Sequence, residues 1–391
     1  MKIDKRNPLH WLYLARFAFN VLVAMLLRAW RSGRGNADAR PLVLLYGHQL
    51  NGNLASLYTA LRADAAAPCE VVFLTMDPAY RRELAAAGTA VVGALGWEGV
   101  LALARARVLV SDHGLHVMSL LPRVSSIRFV DVWHGVPFKG WDAHDFAAQH
   151  AYDEVWVSSE LIRRFYIERF GFKPEQVHAT GYGRTDRLVR RDENQATLRR
   201  AIGAPPAPTR LILFAPTWQH GRAAHTIFPF ESAPEVFLAA LARLCAARGA
   251  VCLFRTHLNT RAVAVPADGP FLFVPQDRFP DSEGVLLVSD LLVCDWSSIA
   301  FDFLVLQRPT IFLDVPAPFT KGFTLGPEYR FGAIAGDLAM LCACLDRYLA
   351  DPAAYAREHG ARVRKVMAAA YDDRADGQAA ARYVARLRSL L

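Results

Sequence analysis

Val288-Ser289-Asp290-Leu291-Leu292-Val293-Cys294-Asp295-Trp296-Ser297-Ser298-Ile299-Ala300-Phe301-Asp302-Phe303 reads as a buried strand, a polar turn and the start of a helix. Residues 291–294 form a short apolar run, the pattern of a parallel strand covered on both faces. Ser297 and Ser298 then stand at N-cap positions ahead of the apolar run 299–306. Where a parallel strand feeds a helix, free backbone N–H groups and the positive end of the helix dipole make an anion site. Two serines that merely cap an ordinary helix explain this stretch equally well. Its meaning therefore depends on the rest of the chain.

Working outward, the same strand-and-helix unit recurs. In the second half, strands are expected at 210–214, 250–255, 271–274 and 310–313, with a helix at 234–248. From residue 337 onward the chain reads as helical, with a break at Asp351-Pro352. In the first half, strands are expected at 42–46, 71–75, 89–92, 107–111, 127–133, 154–158 and 177–180, with a helix beginning near Asn53. This alternation predicts an α/β protein with mostly parallel, doubly wound sheets and helices on both faces. The stretch 203–208 holds Pro205, Pro206 and Pro208 and marks a linker. The expected organisation is an N-terminal helix over 1–35, Rossmann-like domains over 40–203 and 209–375 facing a cleft, and a C-terminal helix over 376–391.

A chain of 391 residues with 53% hydrophobic and 21% charged residues exceeds one ordinary core and is not a disordered composition. The net charge of +8 points to an anionic partner, and no nucleic-acid-binding signature accompanies it. The six cysteines show no Cys-x-x-Cys and no Cys/His spacing for zinc, so neither a metal nor a cofactor is expected, and a reducing compartment fits. Residues 9–30 are mostly apolar, preceded by Lys2, Lys5 and Arg6 and followed by Arg31 and Arg34. No small-residue cleavage site follows them, which argues against a signal peptide. Their length allows a spanning helix, but Arg16 near the middle makes one costly. The expectation is a helix lying in the cytoplasmic membrane surface, with cations toward anionic headgroups, in a peripheral (monotopic) protein. The plain alternative is a helix packed on the protein itself.

Ligands of open α/β sheets bind beyond the carboxyl ends of strands. In the first half those ends carry His48, His113 and His134, with Lys139 just beyond; in the second they carry Thr217, His257 and Ser297-Ser298. A lone histidine is usually structural, whereas several at strand ends in both halves point to chemistry.

Six segments follow in order: Trp133-His134-Gly135, Gly181-Tyr182-Gly183-Arg184-Thr185-Asp186, Ala215-Pro216-Thr217, Arg255-Thr256-His257, Ser289-Asp290 and Asp295-Trp296-Ser297-Ser298. Together they closely resemble the CDP-glycerol glycerophosphotransferase family of teichoic-acid and capsule synthesis, over roughly residues 127–312. The resemblance implies a GT-B fold. It also implies transfer of a polyol-phosphate from a CDP-polyol such as CDP-glycerol to a hydroxyl of a lipid-linked or polymer acceptor, with release of CMP. The family's two histidines correspond to His134, as general base, and His257, beside the phosphates. Its Gly-x-x-Arg-x-Asp segment corresponds to Arg184 and Asp186, and its Asp-Tyr-Ser-Ser to Asp295, Ser297 and Ser298, with Trp296 in place of tyrosine. Gln219 and Leu258 replace a usual arginine and proline, which bears on the choice between glycerol and ribitol.

Thr217, Arg255, Lys139, His48 and His113 complete the expected substrate-binding set. Asp302, one helical turn beyond Ser298, either faces the ligand or pairs locally. Arg184 and Asp186 have a plain alternative too, as a cap and a pair at a helix start. Without an Asp-x-Asp motif at a strand end, cationic side chains and backbone N–H groups are expected to neutralise the pyrophosphate. Other readings remain: a glycosyltransferase of the same fold using a nucleotide sugar, a nucleotide-sugar epimerase, and a non-catalytic membrane-surface binding protein.

Overall fold

A computed structural model describes residues 7–32, 40–217, 227–255 and 269–391. The chain divides into two compact units, one of residues 1–134, 143–186 and 378–391, the other of residues 135–142 and 187–377.

The first unit is built on seven parallel strands: β1 (Leu42–Tyr46), β2 (Glu70–Thr75), β3 (Val91–Gly93), β4 (Ala106–Ser111), β5 (Arg128–Asp131), β6 (Glu154–Val157) and β7 (Val177–Ala179). Their order is β3-β2-β1-β4-β5-β6-β7, so the sheet reverses direction between β1 and β4. Every residue of β1 is buried, as a central strand covered on both faces requires. One face of the sheet packs Leu44, Tyr46 and Leu109 against the N-terminal helix and helix Trp97–Arg105. The other packs Val43, Leu45 and Val110 against helix Gly52–Ala63 and the C-terminal helix Ala379–Leu390. Polar N-caps start two further helices: Asp77 accepts the Ala79 and Tyr80 N–H groups ahead of Pro78–Ala86, and Ser159 that of Ile162 ahead of Glu160–Glu168.

The N-terminal helix, Pro8–Ser32, packs one face on the protein, as the plain alternative has it. Phe17, Val21 and Ala24 are buried in the core of the first unit, and the Asn20 side-chain amide donates to the Ala94 carbonyl at 2.9 Å. Arg28 donates to the Ala106 carbonyl at 2.7 Å. The opposite face exposes Trp11, Leu12, Phe19, Leu22, Leu26 and Trp30 to solvent. The stretch Pro8–Arg31 is long and apolar enough to cross a membrane by length and composition.

The second unit repeats the plan with β8 (Arg210–Phe214), β9 (Ala250–Phe254), β10 (Phe271–Phe273), β11 (Leu291–Cys294), β12 (Thr310–Leu313) and β13 (Ala333–Ala335). These are again parallel, in the order β10-β9-β8-β11-β12-β13, with the reversal between β8 and β11. The three-residue strand β13 had no sequence signal of its own. Segment 135–142 packs within this unit: the Phe138 ring lies 4.6 Å from that of Phe301 and 5.8 Å from that of Trp296. The quoted opening stretch forms β11, a turn and helix Ile299–Leu304, which is shorter than the apolar run suggested.

Candidate active site

In the first unit, the loops after β1, β4 and β5 bring four histidines together at the sheet's reversal point. His48 follows β1, His113 and His116 follow β4, and His134 follows β5. The His113 and His134 rings stack almost parallel, 4.5 Å apart and inclined by 9°. His48 lies 4.7 Å from His113 and 5.6 Å from His116. Gly47 makes this crowding possible, because a Cβ there would come within 2.6 Å of the Asp112 carboxylate.

Hydrogen bonds orient three of the rings. His134 Nδ1 lies 2.9 Å from the Asp112 carbonyl oxygen. A carbonyl only accepts, so Nδ1 carries the proton and Nε2 keeps its lone pair. His113 Nδ1 lies 2.7 Å from the Asp112 carboxylate, and the Tyr46 hydroxyl lies 2.9 Å from His116 Nδ1. Burial lowers the pKa of His48 to about 4, with help from His113. For His113 burial also acts downward, but the Asp112 carboxylate outweighs it and the net shift is upward. Loss of hydration, then His113 and Arg184, push His134 down, and only the hydrogen bond and charge of Asp112 oppose them. His134 is nonetheless exposed to solvent, which softens that shift. The site is thus a His134 that favours the neutral, acceptor form, stacked on a His113 whose pKa is shifted upward.

The peptide carrying His134 is held from several sides. Trp133 sits at φ 48°, in the left-handed region that non-glycine residues avoid. The Asp131 carboxylate accepts the Trp133 N–H at 2.6 Å. Burial raises the Asp131 pKa to about 7. Arg184 enters from helix Gly183–Arg190, and its Nη1 donates to the His134 carbonyl at 2.7 Å. Gly183 is required here, since a Cβ would meet Ser56 Cβ at 2.8 Å.

Asp186, expected beside Arg184 as a substrate ligand, is buried and points elsewhere. Its carboxylate accepts the Ala379 and Ala380 N–H groups at 2.9 and 2.8 Å and so caps the C-terminal helix. Asp186 is thus a cap, but of a helix far along the chain rather than of helix Gly183–Arg190 in which it sits.

In the second unit, the reversal between β8 and β11 brings Thr217 and Asp295 together. Asp295 is buried and accepts the Thr217 N–H at 2.7 Å as well as the Thr217 hydroxyl. Burial raises the Asp295 pKa, and the Thr217 bonds oppose that rise. Because a hydroxyl has one proton, Thr217 donates it to Asp295 and keeps only lone pairs for other partners. Ser298 is exposed at the N-cap of helix Ile299–Leu304 and its side chain makes no capping bond; Ser297 is half-buried.

Asp302 is buried within that helix. Arg255 is buried too, and its guanidinium donates to the Val274 and Phe279 carbonyls and the Ser282 hydroxyl. The sequence placed Arg255 in the expected substrate-binding set; in the fold its guanidinium braces the loop after β10. The Lys139 ammonium sits 3.9 Å from the centre of the Trp141 ring. His257 lies outside the described residues. Among the described residues, no three His, Cys, Asp or Glu side chains are placed to hold a metal ion.

Asn53, Asp112, His116 and Asp131 entered no expected site. Asp112 follows β4 and Asp131 ends β5, so the strand-end rule that singled out their histidine neighbours applied to them as well.

Over residues 40–388 the chain matches the family described as CDP-Glycerol:Poly(glycerophosphate) glycerophosphotransferase. It is 32% identical over 216 residues to the teichoic acid ribitol-phosphate polymerase TarL of Staphylococcus aureus, covering 49% of this chain and 37% of that one. It is 26% identical over 289 residues to the teichoic acid poly(glycerol phosphate) polymerase of Bacillus subtilis, covering 68% of this chain and 37% of that one. The chain thus matches about two fifths of the length of each of these two relatives. The wall teichoic acid polymerase TagF superposes with a TM-score of 0.72 at 16% identity, over 97% of both chains, and shows the shared GT-B-like fold. With a match that runs through both units, the chain belongs to the CDP-glycerol:poly(glycerophosphate) glycerophosphotransferase family.

Proposed function

We propose that this protein transfers a polyol-phosphate from a CDP-polyol to an acceptor hydroxyl, releasing CMP, in the synthesis of a cell-surface polymer. The observation that supports this most directly is the His134 hydrogen bond to the Asp112 carbonyl, which leaves Nε2 as a proton acceptor beside Arg184. The acceptor O–H gives its proton to His134 Nε2 as its oxygen attacks the phosphorus that bears the polyol. The bond from that phosphorus to the bridging oxygen breaks, and CMP leaves with the bridging oxygen and its electron pair. Arg184 and His113 offer positive charge to the phosphoryl oxygens in this reading.

The second unit is assigned to the CDP-polyol, with Ser297 and Ser298 as donors to the pyrophosphate and Asp295 holding Thr217 in place. His257 is assigned to the phosphates by resemblance. Asp186 and Arg255 are reassigned to structural roles. No metal takes part in this scheme.

The acceptor is proposed to be membrane-linked, and the protein to lie peripherally on the cytoplasmic face of the membrane. What supports this is the outward face of helix Pro8–Ser32, with Phe19, Leu22, Leu26 and Trp30 exposed. Its inward face is occupied by protein, so lipid does not surround the helix as it would a spanning segment. The deciding experiment incubates the protein with CDP-glycerol or CDP-ribitol and prenyl-linked acceptors and scores CMP release. Release of a nucleotide from a nucleotide sugar instead, or no turnover with any CDP-polyol, would defeat the reading.

A further inference from the structure

We infer that Asn53 is the positioning residue that sets the His134 base and the Arg184 guanidinium relative to one another, an inference that rests on the proposed transferase reading. Asn53 lies in the first turn of helix Gly52–Ala63 and is buried. Its side-chain nitrogen donates to the Val132 carbonyl at 2.8 Å and the Trp133 carbonyl at 3.0 Å. Its side-chain oxygen accepts the Arg184 N–H at 3.0 Å. The orientation of the amide is settled by its partners, since two carbonyls only accept and a backbone N–H only donates. Both donor hydrogens are engaged, and so is the acceptor oxygen.

Three successive carbonyls leading into the catalytic loop are therefore held by two residues. Asn53 takes those of Val132 and Trp133, and Arg184 takes that of His134. Asp131 secures the intervening Trp133 N–H. The turn needs such holding because Trp133 is in the left-handed region, a conformation that persists only when its surroundings over-determine it. The plane of the 133–134 peptide fixes where the His134 ring leaves the backbone, and so whether Nδ1 meets the Asp112 carbonyl. One amide in the first turn of helix Gly52–Ala63 thus joins the loop after β5 to the helix after β7. Loss of the two donated bonds should free the ring while sparing the Arg184 anchor; loss of the whole amide should free both.

The test compares wild type with Asn53→Asp and Asn53→Ala, using ¹⁵N-histidine NMR across pH, thermal melting, and single-turnover CMP release. The groups whose charge bears on the His134 signal are His113, Asp112 and Arg184, which remain in both variants; Asn53→Asp adds one carboxylate, and Asn53→Ala controls for it. In the wild type, His134 should show the Nδ1–H tautomer. Asn53→Asp keeps an acceptor for Arg184 but has no hydrogens for the two carbonyls. It should lose the pure tautomer signal and lower kcat roughly 10²-fold, the order expected for a misplacement of about 1 Å, with little change in KM. Asn53→Ala should lower kcat similarly and also raise KM. A folded Asn53→Asp protein with the wild-type nitrogen spectrum and kcat overturns the inference. If neither variant folds, hydrogen exchange in the wild type decides: a protected Arg184 N–H supports the Asn53 bond, and free exchange removes it. The NMR and exchange readouts need no turnover, so absence of CMP release in the wild type would count against the transferase reading and leave the Asn53 result standing.

Discussion

Asp186→Ala separates a cap from a ligand, and its size follows from the structure. The buried carboxylate receives two N–H groups at the start of helix Ala379–Leu390. Replacing a capping Asp by Ala costs typically ~1 and up to about 2 kcal/mol. Here a second, half-buried N–H is also left without its acceptor, which adds about 1 kcal/mol. The expected loss is about 3 kcal/mol. For a cooperative unit of this size that is roughly 6–12 °C in Tm. Asp186→Asn retains one acceptor oxygen and should lose about half as much. The helix also carries Tyr383, whose hydroxyl accepts the Gly183 N–H at 3.0 Å beside Arg184, so a loosened helix reaches the site only indirectly. The assay is thermal melting of the full chain alongside calorimetric binding of CDP-glycerol below the melting range. The capping argument predicts a large fall in Tm, a smaller one for Asp186→Asn, and near-normal donor binding in the protein that remains folded. An unshifted Tm with lost CDP-glycerol binding would refute it and return Asp186 to the substrate.

Replacing Phe19, Leu22 and Leu26 by glutamine should reduce sedimentation with anionic vesicles and leave Tm unchanged, because these side chains face solvent; equal sedimentation would remove the membrane assignment of this face. Deleting residues 1–35, by contrast, should lower Tm, since Phe17, Val21 and Ala24 belong to the core. CMP release should persist in EDTA, and complete loss restored by magnesium would overturn the metal-free scheme. His134→Ala should cost about 10²–10⁴-fold in CMP release with donor binding intact, whereas near-normal turnover of the folded variant would make the ring structural. A lowered His134 pKa keeps the base neutral into mild acid, so the acid limb of kcat/KM should lie below 6.5, the ordinary histidine value; a limb at or above it contradicts the assignment.

The strands were legible because central parallel strands are apolar on both faces, and 42–46 and 291–294 show this without help from distant residues. The histidines followed from one geometric rule, that loops at the carboxyl ends converge at a sheet reversal. What escaped was everything decided by a partner far along the chain. Nothing near Asp186 indicates a helix start almost two hundred residues later. Arg255 looks available in a motif, yet its partners lie across a loop. Asn53 reads as an ordinary polar residue at a helix start until the carbonyls of β5's loop arrive beside it. The N-terminal helix escaped in another way: an all-round apolar pattern does not say which face protein takes and which it leaves exposed.

Charge gives the site a further consequence. In the proposed scheme free His134 is a poor base, because loss of hydration, the stacked His113 and the nearby Arg184 all resist its protonation. That resistance secures the neutral form but weakens the pull on a proton. An anionic pyrophosphate brought to Arg184 and His113 reverses the balance, since a nearby negative charge favours the protonated ring and raises its pKa. The base should then strengthen when the donor is present, which discourages proton abstraction before there is phosphorus to attack. Because kcat/KM reports the free enzyme and kcat the bound complex, the acid limb of kcat should lie at higher pH than that of kcat/KM. Limbs that coincide would mean that the donor phosphates do not come near the ring, and the assignment of Arg184 and His113 to them would fall.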